Sequence, residues 1–344
     1  MEVLQAPGAA LGTWSVLDAL LEPTAQFRFR EALGKSREVK TALSGLFGRF
    51  VARAYAQRYL NFTAFEHIHS PPMRIDGRRR AEVRRVVGMR GDLPDWVAWG
   101  PRSRLAIVEA KGCHDAGGPG AALRRAYRQA ERAEIVVGGR TARFKRYAIA
   151  TRWGVVSPKS TRSMIHVQDP DADGDVSEEE MRSFAVGVVR RHFASLLRPL
   201  GHGELSDALV QMTVTPFNNR YTDAVKRART ALEAGAFRRA HASARRSPQD
   251  ELLGGMVARG GPLPHATSLS AVEQETLVRL QLRPTFVGIE RRALKAAIEG
   301  DVEELESEAV EETLAQPTDR SRGPKSDVGG TWIIRIEEDQ ARLI

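Results

Sequence analysis

The sequence predicts an α/β protein in which a sheet-containing N-terminal part is followed by a mainly helical C-terminal region. Between residues 36 and 170 the hydrophobic spacing changes in the order helix, three strands, helix, strand, strand. Beyond about residue 177 helical spacing dominates. The 344 residues also exceed the roughly 250–300 that one hydrophobic core usually holds, so we expect more than one domain.

Four segments follow from these patterns. Residues 1–35 form a lead-in that mixes Gly, Pro and apolar residues, and residues 36–175 form the core with the predicted sheet. Residues 176–315 form the mainly helical region. Residues 316–344 combine a linker rich in Pro, Asp, Arg, Ser and Gly with a final strand at 331–336.

The first helix of the core is predicted from Ser36, whose side chain can cap it. Three arginines, Arg49, Arg53 and Arg58, lie off its apolar face. The residues of that face recur at intervals of three and four, and they are Val39, Leu43, Leu46, Phe47, Phe50 and Ala54. The pattern therefore predicts an amphipathic helix.

Short runs with strand character follow the first helix, separated by turn-forming pairs such as Gly91-Asp92 and Gly100-Pro101. They predict strands at 83–87, 93–99 and 105–110, a helix at 121–133, and further strands at 147–151 and 164–167. The first three of these strands are expected to be neighbours. In the C-terminal region helices are predicted near 178–197, 222–243, 269–280 and 290–315, with a Gly/Pro-rich interruption at 254–264.

The chain carries more basic than acidic residues, with 52 Lys+Arg against 43 Asp+Glu and a formal net charge of +9. Most of the excess is arginine, whose planar guanidinium suits phosphate oxygens, so a polyanionic partner is expected. Cys113 is the only cysteine, which excludes an intramolecular disulfide. No apolar run approaches about 18 residues and no signal-peptide pattern opens the chain, so we expect a cytoplasmic protein that does not bind a membrane.

The residues that carry chemistry lie at the ends of two consecutive predicted strands. Strand alternation places Asp95 on the same face as Val97 and Trp99. In the next strand Glu109 and Lys111 share a face, so a carboxylate and an ammonium emerge side by side where the apolar run ends. Charged side chains at the end of an apolar strand need a bound partner or serve a function.

Hydrolysis of a phosphodiester bond needs this combination of groups. Mg²⁺ and Mn²⁺ prefer hard oxygen ligands, which Asp95 and Glu109 supply, and the Ala110 carbonyl can complete the metal shell. Lys111 can orient or deprotonate the attacking water and can offset the negative charge that develops on the phosphate. The residues therefore predict a metal-dependent phosphodiester hydrolase.

Pro94-Asp95, a short spacer and Glu109-Ala110-Lys111 together resemble the signature of the PD-(D/E)XK, or restriction-endonuclease-like, nuclease superfamily. The resemblance covers roughly residues 36–170, and the order of elements derived above is also that of the superfamily's core. It implies a mixed central sheet flanked by helices, with the two acids as metal ligands and the lysine as the catalytic lysine. It also implies DNA rather than RNA as the substrate of an endo- or exonuclease, in a setting of defence or repair.

Two further site residues are suggested by the resemblance. Relatives usually add an acidic residue from the first helix, and the candidate is Glu38, near the start of that helix. In many relatives this glutamate follows a helix glycine, whereas this chain has Gly48-Arg49, so either Glu38 replaces it or the third acid is absent. Many relatives also place a glutamine on the helix after the lysine strand, where Gln129 stands and can contact the site or the nucleic acid.

Arginines near these positions are candidates for contacts with the nucleic-acid backbone. Side chains on the helix of Gln129 are expected near the scissile phosphate, where they bind backbone oxygens without reading sequence. A basic run at 78–85 leads into the first predicted strand and either follows a phosphate backbone or forms a solvated face. The candidates are Arg124, Arg125 and Arg128 on the helix, and Arg84 and Arg85 in the basic run.

A different interpretation of the same residues stays open. An Asp at a turn and a Glu-x-Lys at a strand end also arise as a solvated ion pair without function. The alternative function is then a protein that keeps the nuclease fold without activity and acts as a nucleic-acid- or protein-binding module. In either case the C-terminal region is expected to serve substrate choice, control, or binding to a partner protein or a second copy.

Residues 169–180 match the template of a calcium-binding loop, with acids at positions one, three and five, Gly at six and Glu at twelve. The candidate Ca²⁺ ligands are Asp169, Asp171, Asp173, Asp175 and Glu180. A strand is predicted before this loop, where an EF-hand has a helix. Ser177 with Glu180 also forms a capping box for the next helix, so both interpretations stay open.

Overall fold

The computed structural model describes residues 28–29, 37–100, 104–114, 118–155, 162–169, 174, 176, 178–235, 237–239, 251–258, 261–262, 285–307, 325–327 and 331–335. The chain divides into two compact units. The first unit covers residues 16–188, and the second covers residues 189–344 together with residues 1–15.

The first unit, as far as it is described, combines short strands with helices. In chain order its elements are β1 (Arg28–Phe29), α1 (Arg37–Leu60), β2 (Ala64–His67), β3 (Met73–Arg74), β4 (Arg80–Arg85), β5 (Trp96–Gly100), β6 (Arg104–Cys113), α2 (Gly120–Ala130), β7 (Ala133–Val137), β8 (Arg140–Thr141), β9 (Lys145–Arg152), β10 (Gly154–Val155) and β11 (Met164–Gln168). The next helix, α3 (Glu178–Leu197), contains the boundary between the units.

A five-stranded sheet in the order β11-β9-β6-β5-β2 is the main sheet of the first unit. β6 and β9 are parallel and the other neighbouring strands are antiparallel, so the sheet is mixed. Helix α1 packs against β6 and β9, and helix α2 packs against the same two strands. The predicted α/β class, with a mixed sheet flanked by helices, is therefore confirmed at this level.

An apolar cluster holds α1 on the main sheet. Small residues of the helix let it approach the strands closely, and aromatic rings fill the space beside them. The buried members are Ala52, Ala56, Phe62, Phe65, Trp96, Ala98, Ala106, Val108, Ala110, Tyr147 and Ile149. Burying a large apolar side chain contributes about 1.5–3 kcal/mol, so this cluster fixes the position of α1 relative to β5 and β6.

The neighbour of β5 differs from the one expected from the sequence. The run predicted at 83–87 forms β4, but β4 belongs to a separate four-stranded sheet in the order β3-β4-β7-β8. The place beside β5 is taken by β2, whose four residues are too few for alternation to reveal a strand. The expectation that the first three predicted strands are neighbours is therefore wrong, and β2, β5 and β6 are the adjacent ones.

Other predicted elements of the first unit agree with the structure. The strands predicted at 105–110, 147–151 and 164–167 correspond to β6, β9 and β11, and the helices predicted at 121–133 and 178–197 correspond to α2 and α3. The strand predicted at 93–99 begins later, at Trp96, as β5. The residues before it, from Leu93 to Asp95, therefore approach the sheet as a connecting segment.

The second unit contains a sheet as well as helices. Its further elements are α4 (Gly203–Val214), α5 (Asn219–Glu233), β12 (Phe237–Arg239), β13 (Glu251–Ala258), β14 (Gly261–Pro262), β15 (Thr285–Glu290), α6 (Arg291–Glu299), β16 (Lys325–Asp327) and β17 (Thr331–Arg335). The strands form a six-stranded sheet in the order β12-β13-β15-β17-β16, with β14 paired to β13. The expectation of a mainly helical C-terminal region is corrected by these strands, whereas the predicted final strand is confirmed as β17.

Two helices of the second unit end earlier than predicted. The helix expected at 222–243 stops at Glu233 and is followed by β12. The helix expected at 290–315 corresponds to α6, which ends at Gly300 with a φ of 77°, the left-handed conformation that terminates helices, and residues 302–307 are helical again. The helix expected at 269–280 lies outside the described residues.

A buried arginine of α3 binds the end of α6. In α3 the buried Arg190 donates hydrogen bonds from Nε to the Ala297 carbonyl at 2.7 Å and from Nη2 to the Ile298 carbonyl at 3.1 Å. These bonds satisfy carbonyl groups in the last turn of α6, which have no partner within that helix.

Throughout the described ranges, no helix is both long and apolar enough to span a membrane.

Candidate active site

Asp95 and Glu109 lie side by side in the main sheet, with Asp95 directly before β5 and Glu109 within β6. The last pair between β5 and β6 joins Trp96 to Val108, so one step further along the register Asp95 is opposite Glu109. The Asp95 side chain is buried, and its Oδ2 accepts a hydrogen bond from the Ala110 backbone N–H at 3.0 Å. This bond fixes the carboxylate of one strand against the backbone of the other.

Glu109 is the most unusual group of the site. Its side chain is 0% exposed, and apart from the Lys111 ammonium no described residue donates to either carboxyl oxygen. Oε1 forms an ion pair with the Lys111 ammonium. Burial, and to a lesser extent the negative charge of Asp95, raises the pKa of Glu109 to about 8, although Lys111 and Arg49 act in the opposite direction.

Lys111 is held from two sides. Its Nζ pairs with Glu109 and also donates a hydrogen bond to Oε1 of Gln129 at 2.8 Å. The Gln129 amide in turn donates from Nε2 to the Leu93 carbonyl at 2.7 Å. Gln129 therefore links α2, the end of β6 and the segment that leads to Asp95, and the structure brings this sequence-suggested residue to the lysine.

Arg49 is a member of the site that the sequence analysis did not assign. From helix α1 its Nη2 reaches Oδ1 of Asp95 at 2.8 Å, with side-chain exposures of 54% for Arg49 and 5% for Asp95. The signal in the sequence for Arg49 is its position directly after Gly48, where relatives of the resembled superfamily commonly carry a glutamate. The residue in that position is thus a cation bound to one of the acids.

A close approach of two backbones positions Arg49. A Cβ atom at Gly112 would collide with the carbonyl oxygen of Ser44, and one at Gly48 would lie 2.6 Å from the Gly112 nitrogen. The Trp153 indole N–H donates to the same Ser44 carbonyl at 3.3 Å. Glycine at both positions therefore lets α1 touch the end of β6 directly, next to Lys111.

Glu38 is not brought to the two buried acids. It lies exposed in the first turn of α1, ten residues before Gly48, which corresponds to about 15 Å along a helix axis. Among the described residues no group of three or more His, Cys, Asp or Glu side chains converges on a point suited to a metal ion. The described part of the chain therefore offers two acids at this site.

The predicted backbone-binding arginines of α2 are all exposed. Arg125 lies one helical turn before Gln129 and shares its side of the helix. Arg124 and Arg128 are rotated about 100–140° away from Gln129 by the helical spacing. Of the three, Arg125 is the one that the helix presents on the side of Lys111.

The arginines of β4 are occupied within their own sheet region. Arg84 pairs through Nε with Oε1 of Glu134 at 2.9 Å, on the neighbouring strand β7. Arg85 donates from Nη1 to the Gly91 carbonyl. Both side chains are exposed, but β4 is not a strand of the main sheet that carries Asp95 and Glu109.

The calcium-loop template falls mostly outside the described residues. Asp171, Asp173 and Asp175 and the side chain of Glu180 are not described, whereas Asp169 pairs with Lys145 at 2.7 Å. The element before the loop is the strand β11, as predicted, and not the entering helix of an EF-hand. Gly174, with φ 134°, passes against the Ala142 backbone so closely that a side chain would collide there, which explains this glycine without a bound ion.

The oxygen donors of the site fit a hard divalent cation. In a strand the N–H and C=O groups of one residue point toward the same neighbour, so the Ala110 carbonyl faces the Asp95 side, as its N–H does. Glu109 adds carboxyl oxygens to which, among the described residues, only the Lys111 ammonium donates. Mg²⁺ commonly binds protein through one or two carboxylates and keeps its other positions for water and substrate phosphates, which matches this donor set.

Comparison with known proteins adds no assignment to this geometry. No protein-family model, no curated protein and no solved structure matches the chain. The chemistry of the site must therefore be argued from its own residues.

Proposed function

We propose that this protein hydrolyses phosphodiester bonds in DNA with the help of Mg²⁺ or Mn²⁺ held at the ends of β5 and β6. The observation that carries the proposal is the pair of buried carboxyls Asp95 and Glu109, in which the Lys111 ammonium is the only described donor to Glu109 and reaches Oε1 alone. Buried acids destabilise a protein unless they have a partner or are kept for a task. Arg49 and Lys111 each reach one oxygen of these acids, and a divalent cation would bind Oε2 of Glu109, which has no described donor.

The order of elements around the two acids is a second support. The main sheet and its helices follow one another in the chain as α1, β2, β5, β6, α2 and β9. This is the helix, three strands, helix, strand order of the PD-(D/E)XK superfamily, which the motif resembles. The superfamily's usual substrate is the reason for proposing DNA rather than RNA.

Each residue has a distinct proposed role. Asp95, Glu109 and the Ala110 carbonyl hold the cation, which when bound supplies Lewis-acid stabilisation of the phosphate oxygens. Lys111 orients the attacking water and offsets the charge that develops on the phosphate. Gln129 is a positioning residue, because its amide connects the Lys111 ammonium to a fixed backbone carbonyl.

Cleavage assays with matched variants test the proposal. Wild-type protein is expected to nick supercoiled plasmid or degrade single-stranded DNA with Mg²⁺ or Mn²⁺ and not with EDTA. Asp95→Ala and Lys111→Ala are expected to lose about 100-fold or more in rate, whereas Asp223→Ala and Lys226→Ala, exposed on α5, keep the wild-type rate. Circular dichroism checks that each variant is folded.

Two results would contradict the proposal. One is the same rate in Asp95→Ala as in wild type, which would indicate a contaminating nuclease. The other is no metal-dependent cleavage of either DNA substrate by any of the proteins. An RNA of the same sequence, assayed in parallel, decides between the two nucleic acids.

The pair between Arg49 and Asp95 favours a second candidate function, nucleic-acid binding without cleavage. The arginine already neutralises the acid, and the described residues add no third acid. A binding module of this kind would retain DNA in EDTA, leave it intact with either metal, and bind it equally well in the Asp95→Ala variant. Mobility-shift assays run beside the cleavage assays distinguish the two functions.

A further inference from the structure

We propose that Arg49 and Arg53 form a phosphate-binding subsite for the nucleic-acid backbone, and that Asp95 holds Arg49 until a phosphate group binds. The divalent cation and the nucleic acid then bind cooperatively. A phosphate draws Arg49 away from Asp95 and so frees Asp95 for the cation, while the cation on Asp95 releases Arg49 for the phosphate. This inference rests on the proposed function.

The position of Arg49 supports its role toward a ligand. Its guanidinium bonds to a nearly buried acid at 2.8 Å, yet 54% of its side chain is exposed. One helical turn later, Arg53 places its guanidinium over the Phe65 ring, 5.1 Å from the centroid. Residues four apart lie on the same side of a helix, so two arginines face the region beside Asp95.

A histidine belongs to the same neighbourhood. His67 ends β2, and the next residue, Ile68, contacts the backbone of Asp95 through an N–H···O bond of 3.5 Å. Partial burial lowers the pKa of His67, and the charges of Asp95, Arg49 and Arg53 also act on it. The imidazole therefore lies close to the two arginines and to Asp95.

The guanidinium groups of this neighbourhood favour an anion. Arg49 keeps 54% of its side chain exposed while it pairs with Asp95, and Arg53 lies one helical turn further along the same side of α1. Guanidinium groups bind phosphate oxygens with two parallel hydrogen bonds, which suits a phosphodiester better than a single carboxylate oxygen. The ligand class that fits is the sugar–phosphate backbone.

The two ion pairs make metal binding dependent on this ligand. Each acid of the site holds an internal cation, Asp95 through Arg49 and Glu109 through Lys111. A divalent cation must displace or out-compete Arg49 to use both oxygens of Asp95. A phosphate that draws Arg49 away lowers this cost, and by linkage the cation strengthens phosphate binding by the same factor, typically about 5–150-fold.

Mn²⁺ binding measured by electron paramagnetic resonance tests the inference without relying on cleavage. The titration is done with and without a DNA duplex whose linkages are phosphorothioates, which resist hydrolysis. The proteins are wild type, Arg49→Gln, Asp95→Asn and, as the matched control, Arg58→Gln, an exposed arginine near the end of the same helix. Thermal denaturation confirms that each variant is folded.

Without DNA, Arg49→Gln is expected to bind Mn²⁺ about tenfold more tightly than wild type or Arg58→Gln. With DNA, wild type and Arg58→Gln are expected to gain affinity for Mn²⁺ while Arg49→Gln does not. Arg49→Lys, which keeps the charge without the planar fork, is expected to retain weak Mn²⁺ binding and to bind DNA less tightly, and it replaces Arg49→Gln if that variant does not fold.

Equal Mn²⁺ affinity and equal response to DNA in Arg49→Gln and wild type would overturn this inference and leave the proposed nuclease function standing. If wild type shows no Mn²⁺ binding that is lost in Asp95→Asn, both this inference and the proposed nuclease function are overturned. The two failures are therefore distinguishable in one experiment.

Discussion

At the scale of single residues, the site is a set of charges arranged in pairs. Strand alternation over a few residues places Glu109 and Lys111 on one face, and the motif resemblance adds Asp95, which is why the sequence alone could group them. Arg49 could not be assigned in this way, because its approach to Asp95 depends on how α1 lies across the sheet. Local spacing therefore predicts the acids and the lysine, and tertiary packing adds the arginine.

The raised pKa of Glu109 has a direct consequence for stability. Between its ordinary value of 4.5 and about 8, the folded protein binds a proton that the unfolded chain has released. The free energy of unfolding of the metal-free protein therefore decreases as the pH rises through this window. Below it, both states are protonated and this group contributes no pH dependence.

Glu109→Gln is expected to remove that loss of stability. Between about pH 5 and pH 9, wild type in EDTA should lose on the order of a few kcal/mol relative to the variant, as measured by urea denaturation at a series of pH values. Glu233→Gln, at the exposed end of α5, is the control and should follow wild type. Parallel pH profiles for wild type and Glu109→Gln would show that Glu109 titrates normally.

At the scale of elements, the contact between α1 and β6 sets the geometry of the site. Ser44 and Gly48 of the helix touch the backbone of Gly112, one residue after Lys111. A helix can approach a strand this closely only where side chains are absent. The two glycines thus have a packing role, which spacing along the chain does not reveal.

Gly112→Ala is expected to destabilise the protein by about 1–3 kcal/mol and to lower cleavage activity, because the added methyl group pushes α1 away from Lys111. Gly45→Ala is the matched control: it lies in α1, the helix that contacts Gly112, and an added Cβ there meets nothing within 4 Å. Thermal melts and cleavage rates of the two variants provide the comparison. A Gly112→Ala protein as stable and active as Gly45→Ala would show that the contact is unimportant.

Glycine also explains why the strands of the second unit were missed. Gly254 and Gly255 belong to the stretch predicted as a Gly/Pro-rich interruption between helices, but they lie inside β13. A Cβ at Gly254 would collide with the backbone of β15, where Gly288 is its partner in the register. Here glycine marks a close approach of two strands, and sequence spacing cannot distinguish this from a turn.

At the scale of the whole molecule, the net charge of +9 predicts that DNA binding depends on salt. Each phosphate contact that releases a counterion contributes about 0.9 to the slope of log K against log salt concentration. Arg125→Ala is expected to weaken DNA binding and reduce this slope by about 1. Arg220→Ala, exposed in the second unit, is the control and should leave the slope unchanged, as measured by fluorescence anisotropy at several salt concentrations. An unchanged slope in Arg125→Ala would show that Arg125 does not contact the DNA backbone.

The two-part organisation was predictable in outline and not in detail. Length and the change in hydrophobic spacing indicated more than one domain, and the chain forms two compact units. Short-range patterns predicted most strands of the first unit's main sheet, and only the resemblance implied that this sheet is mixed. The strand pairing of β2 and the sheet of the second unit did not, because pairing between distant segments leaves little trace in a single sequence.

The grouping of every site residue between positions 49 and 129 has a consequence for biosynthesis. Proteins emerge from the ribosome N-terminus first, and early segments begin to fold while later ones are still being translated. The catalytic constellation proposed for this chain can therefore assemble before residues 189–344 have been made. The residues of the proposed site are thus synthesised before residues 189–344, whatever those later residues contribute.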